Sequence, residues 1–166
     1  MNVTECIRSR RSIIDSIVAD VSYSPSWKNT QITRFIAIED SSVLGTIAEQ
    51  FTPDYNSKII NQVPVLIAVT FLKGRCGFER DGSYSTKKED RWQMFDAGIA
   101  CQTFCLAAKE RGLGTVIMGI FDEDGISGLL DIPSDQELAA LIALGYPEEE
   151  PNPPKRKATD ILLQYR

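Results

Sequence analysis

Arg8-Ser9-Arg10-Arg11-Ser12 sets three guanidinium groups and two hydroxyls within five residues. Arginine takes a phosphate bidentately, and a serine hydroxyl adds a further donor. A second basic run, Lys155-Arg156-Lys157, lies near the other end of the chain. If the fold brings the two runs together, they form one anion site. Taken separately, each also reads as a solvated helix end or a basic tail. A third stretch is Ser24-Pro25-Ser26-Trp27-Lys28-Asn29-Thr30-Gln31, where six of eight side chains are polar. Pro25 stiffens it. Ser26, Asn29 and Gln31 offer donors and acceptors suited to a flat heterocycle with carbonyls and ring nitrogens, and Trp27 could flank such a ring. The same composition also suits an ordinary turn.

What is missing narrows the chemistry. The 166 residues contain no histidine, which removes Ser-His-Asp and Cys-His nucleophilic catalysis. The four cysteines, Cys6, Cys76, Cys101 and Cys105, show no C-x-x-C spacing, so a zinc site is not expected. Cys101 and Cys105 are one helical turn apart and read as buried thiols. An enzyme built from this chain would therefore work through a cofactor. The net charge of -5 argues against nucleic acid, whose phosphates need a broad basic face. No apolar run approaches the ~20 residues of a membrane span, and no signal peptide opens the chain. The expected location is cytoplasmic, with no membrane partner. Length and composition suit one compact domain, residues 1–166.

The elements that must position these groups follow from periodicity. Residues 3–11 and 13–22 read as helices, the second through Ile13, Ile14, Ile17, Val18 and Val21. Strands are expected at 33–39, 65–71, 114–120 and 137–145, the second a continuous β-branched and aromatic run of the buried kind. Helices are expected at 42–51, 56–62, 91–111 and 121–130, with Asp40 or Ser41 capping the first. Residues 73–90 form a long polar stretch with Gly74, Gly77 and Gly82, read as a loop that lines or covers a substrate entrance. The tail, 146–166, carries Ile161-Leu162-Leu163 behind a proline-rich extension. Such a segment folds back poorly on its own core and is expected to cross to a second subunit.

The ordered set "IRSRRSI", "SPSWKNTQ", "FDAGIACQTFCLAAKERGLGT", "IMGIFD", "ALIALGYPEEEP" and a "KRK" tail resembles the FMN-dependent nitroreductase family over about residues 5–163. The resemblance implies an α+β sandwich, with a mostly antiparallel sheet, helices on both faces and a C-terminal extension exchanged between the subunits of a homodimer. It implies two FMN molecules at the dimer interface. Arg10, Arg11 and Ser12 would hold the FMN phosphate, joined by Lys58 and by Lys155 and Arg156 of the crossing tail. Pro25, Ser26, Trp27, Asn29 and Gln31 would lie against the ring from the other subunit. The backbone of Met118, Gly119 and Ile120 would face flavin N5.

The activity so implied is FMN-dependent NAD(P)H oxidoreduction, with NADH or NADPH as donor and a nitroaromatic, quinone or similar small aromatic acceptor. The flavin carries the chemistry, and no side chain is expected to be catalytic. Two alternatives stay open: an FMN-binding storage or sensing protein, and a flavoenzyme of this fold with other chemistry, such as dehalogenation or ene reduction. The chain departs from the family pattern in three places. Ile14 stands where a basic residue is common, the spacer from Ser12 to the polar stretch is short, and Ile32-Thr33 replaces Pro-Trp.

Overall fold

The computed structural model describes residues 13–149 and 152–166. The helix expected at 3–11, and with it Arg10, Arg11 and Ser12, lies outside the described residues.

Strand Val65–Leu72 (β2) organises the sheet. Its apolar run offers no polar face, so it must be covered on both sides, and seven of its eight residues are buried. It pairs antiparallel with Thr33–Ile38 (β1) on one side and Gln136–Gly145 (β4) on the other. Gly114–Met118 (β3) pairs antiparallel with β4, giving the order β1-β2-β4-β3. A register shift between Val69 and Thr70 interrupts the β2–β4 ladder.

Alternation along β2 then sorts two cores. Val65, Ile67 and Val69 pack with Ile17 and Val21 of the helix over residues 13–21 (α1) and with Phe104 and Ala108 of Arg91–Glu110 (α4). Leu66 and Ala68 pack on the other face with Ile47 of Ser41–Gln50 (α2), Ile60 of Asp54–Ile60 (α3) and Ile126 of Glu123–Leu129 (α5). The result is the expected α+β sandwich, with helices on both faces of an antiparallel sheet.

Local chemistry sets the ends. The Asp40 carboxylate accepts from the backbone N–H of Ser42 at 2.8 Å and of Val43 at 3.3 Å, capping α2. Gly112, at φ 77°, ends α4. Arg111 ties that end to α1, donating to Asp20 Oδ2 at 2.7 Å and Ser16 Oγ at 2.9 Å.

Most boundaries differ from the sequence reading by one residue, and α3, the end of β3 and the start of α5 by two. Helix α3 begins at Asp54 rather than 56, because extended Pro53 serves as its N-cap and Asp54 suits the first turn. Strand β3 stops at Met118 rather than 120. There Asn56 captures the Ile120 carbonyl oxygen and draws the chain out of the ladder.

Residues 73–90 are folded rather than structureless. Phe78 bridges Tyr84 with rings 4.9 Å apart, and Gly74, Gly77 and Gly82 turn the chain at positive φ. Residues 152–166 are exposed throughout and contain one short helix, Thr159–Leu162 (α6). Ile161, Leu162 and Leu163 join none of the apolar clusters among the described residues.

Candidate functional site

The polar stretch between α1 and β1 closes in a 3-10 turn, Trp27–Asn29. Lys28, Asn29 and Gln31 adopt φ values of 44°, 57° and 48°. These lie in the left-handed region, which L-residues avoid at a cost of about 1 kcal/mol or more each. Several bonds hold the turn in place. Ser26 Oγ accepts the Gln31 N–H at 3.1 Å, and Gln31 Nε2 donates to Asn29 Oδ1 at 3.0 Å. The Trp27 N–H donates to both carboxylate oxygens of Asp96 on α4, at 3.1 and 2.9 Å.

The turn is also joined to segment 73–90. Lys28 Nζ lies 2.8 Å from Glu79 Oε1. That hydrogen bond, and then one from Ser85, holds the exposed Glu79 carboxyl below its usual range. The Cys76 thiol donates to Asp96 Oδ2 at 3.1 Å. Burial, followed by Asp96, pushes Cys76 up to about 12, so it stays a protonated donor. The Trp27 ring packs on Trp92 with centroids 4.5 Å apart.

Beside this turn is a cavity of about 550 Å³ between α1, β1 and α4. That lies within the roughly 300–1,000 Å³ typical of small-molecule sites. Pro25, Ser26 and Gln31 line it, together with Ser24, Arg34 and Asp96, whereas Trp27 and Asn29 do not. Arg34 Nη1 donates to the carbonyl oxygens of Gln31 and Thr33, each at 2.8 Å. Among the described residues, Ser24 Oγ and Trp27 Nε1 are buried polar atoms with no hydrogen-bond partner. Native structures leave few such atoms, and Ser24 Oγ, on the cavity wall, is the one placed to meet a ligand.

The second group is at the turn after β3. Met118 is buried, Gly119 and Ile120 are exposed, and beyond its chain neighbours no atom lies within 4 Å of where a Cβ on Gly119 would stand. Asn56 Nδ2 donates to the Ile120 carbonyl oxygen at 2.9 Å, so α3 sets the shape of this turn. Lys58, on the same helix, is exposed, as are Lys155 and Arg156.

The sheet fixes how the two groups relate. Met118 registers with Leu141, Leu141 with Ala68 and Ala68 with Ile36, so β3 ends level with the middle of β1, three residues short of Thr33. The start of β1 and the end of β3 stand on opposite edges, three strand spacings or about 14 Å apart across the sheet and about 10 Å apart along it. Within this chain the polar turn and the 118–120 turn are therefore separate.

Sequence reasoning missed Asp96, Asn56, Arg34 and Cys76. A signal for Asp96 was present: it shares the helical period of the buried positions Ala97, Ala100, Cys101 and Phe104, a lone carboxylate on an apolar face. The others carry no pattern that singles them out. Among the described residues, no cluster of His, Cys, Asp and Glu could hold a metal ion, and no helix is long and apolar enough to cross a membrane.

Residues 10–146 match the model of the nitroreductase family. The chain belongs to the nitroreductase family. A relative from Methanothermobacter thermautotrophicus, provisionally named NADH dehydrogenase/NAD(P)H nitroreductase, is 30% identical over 91% of this chain and 80% of its own. The 5,6-dimethylbenzimidazole synthase of Rhodospirillum rubrum is 25% identical over 81% of this chain and 71% of its own. The iodotyrosine deiodinase of Thermotoga neapolitana is 23% identical over 86% and 79%. Two solved structures illustrate the shared fold. A nitroreductase family protein from Streptococcus pneumoniae superposes with a TM-score of 0.81 at 19% identity, over 93% of this chain and 89% of that one. An FMN-dependent nitroreductase from Clostridium difficile gives 0.66 at 24% identity, over 93% and 83%. This nitroreductase-family chain thus has relatives whose names cover reduction, synthesis and dehalogenation.

Proposed function

We propose that this nitroreductase-family chain is an FMN-dependent NAD(P)H oxidoreductase that acts as a homodimer on a nitroaromatic, quinone or similar small aromatic acceptor. The observation that carries the reading is the polar turn beside its cavity. Pro25, Ser26 and Gln31 form part of the wall, and Ser24 Oγ is buried there without a partner. A flat heterocycle with carbonyls and ring nitrogens supplies what such groups lack. The FMN and NAD(P)H in the relatives' names point the same way.

Bound FMN would supply the redox centre, taking hydride from NADH or NADPH and passing electrons to the acceptor. This chain's residues bind and orient it. Arg10, Arg11 and Ser12 hold the phosphate, with Lys58 and the tail residues Lys155 and Arg156 adding charge. Gln31 presents polar atoms toward the ring edge, Asn29 braces it through Oδ1, and Trp27 stiffens the turn through Trp92. The 118–120 turn offers backbone N–H groups, and the open space at Gly119 lets a ring come close. Because the two turns stand on opposite edges of one sheet, a second protomer is needed to bring both to one flavin. The exposed tail, with apolar Ile161 to Leu163, suits an exchange between protomers.

An absorbance spectrum of the purified protein, before and after anaerobic NADH or NADPH, tests this. Flavin bands that bleach support the reductase. Bands that persist point to a flavin binder without turnover, and no bands after soaking with FMN remove the proposal. The relatives named as a synthase and a deiodinase favour a second reading, a flavoenzyme of this fold with other chemistry. Assay of the reduced protein against nitroaromatics, quinones and halogenated phenols separates the two.

A further inference from the structure

We infer that Asp96 is the positioning residue of the 24–31 turn, the buried group that holds its strained backbone in the shape that meets the ligand. The inference rests on the flavin reading of this turn.

Three left-handed residues within four positions persist only where the surroundings over-determine them. Lys28–Glu79 is exposed, and such pairs contribute little. The Ser26, Asn29 and Gln31 bonds lie within the turn and move with it. Asp96 differs in kind. It is 3% exposed and stands on the 20-residue helix α4, packed against the sheet. A buried carboxylate is costly unless its hydrogen bonds are made. Here both oxygens accept the Trp27 N–H, and Oδ2 also accepts the Cys76 thiol. One side chain thus ties the polar turn and segment 73–90 to a rigid helix, and it also lines the cavity. Removing it takes a buried tie from both segments, while the Trp27–Trp92 packing and the Gly74 N–H to Gln93 Oε1 bond remain.

Hydrogen exchange of residues 26–31 and FMN affinity, by flavin fluorescence titration, are compared in wild type, Asp96→Asn and Asp96→Ala. Asparagine keeps one neutral acceptor for the Trp27 N–H, and alanine keeps none. Protection and affinity should fall together in that order, by about fivefold in Asp96→Asn and at least about tenfold in Asp96→Ala. Asp20→Asn, which weakens the Arg111 pair between the C-terminal end of α1 and the end of α4, should lower stability without opening 26–31. Unchanged exchange in Asp96→Ala would overturn the inference, as would an opened turn with unchanged FMN affinity. Should Asp96→Ala not fold, Asp96→Asn decides: wild-type exchange and affinity would overturn it. If wild type takes up no FMN, the flavin reading falls, while the exchange data still show whether Asp96 holds the turn.

Discussion

Asn56 Nδ2 stands 2.9 Å from the Ile120 carbonyl oxygen and joins α3 to the turn that follows β3. The side chain is buried, so removing the amide leaves that carbonyl without its partner. Asn56→Ala should cost about 1–3 kcal/mol in urea unfolding. If the 118–120 turn meets the flavin, hydride transfer from NAD(P)H should slow as well. Unchanged stability would mean that the bond adds nothing to the fold.

Two glycines of segment 73–90 separate strain from collision. Gly77 and Gly82 have nearly equal φ, 87° and 85°, but a Cβ on Gly77 would run into the Glu89 carbonyl oxygen, while one on Gly82 meets nothing within 4 Å. Gly82→Ala should cost only backbone strain, about 1 kcal/mol, and Gly77→Ala roughly 2–4 kcal/mol. Limited proteolysis should cut 73–90 faster in the Gly77 variant alone. Equal costs would show that the backbone relaxes around the clash.

The buried thiols predict an alkaline limit. Burial, then Asp96, pushes Cys76 from 9.0 up to about 12, and burial, then Cys105, pushes Cys101 up to about 11. The folded chain keeps these protons where the unfolded chain loses them. Stability is therefore intact below about pH 9 and falls as pH rises toward 11 and 12, with a slope of up to about 1.4 kcal/mol per pH unit for each thiol. Urea midpoints at neutral pH and at about pH 10 measure it, and Cys101→Ala should flatten the fall. A flat profile in wild type would show that other groups offset the thiols.

The proposed phosphate site and exchanged tail predict a joint loss. Truncation after residue 151 removes Lys155, Arg156 and the apolar 161–163 segment, so the dimer should dissociate and flavin should leave with it. Light scattering and the visible spectrum read both. A flavin-loaded monomer would contradict the exchange. Arg10→Ala in the full chain should weaken FMN binding by about 1.5–3 kcal/mol while the dimer persists.

Much of the architecture was legible in the chain. The runs of β2 and β4 are too apolar to face water, and the 20-residue α4 is long and ends in glycine. The turn was legible as a place with more polar groups than a connection requires. Its partner was not. Trp27 and Asp96 stand 69 positions apart, and periodicity shows that Asp96 faces inward without showing what waits there. The 73–90 segment looked structureless because its order comes from a bridge, a few turns and a ring pair, none with a repeating signature.

By itself, the sequence determined the class of fold, the family and the stretch that presents polar groups, because these depend on local composition and spacing. The tertiary structure alone decided that Asp96 and Asn56 anchor the two turns, and that the turns occupy opposite edges of one sheet. Strand order and long-range hydrogen bonds set those relations, and they arise only when distant segments pack together.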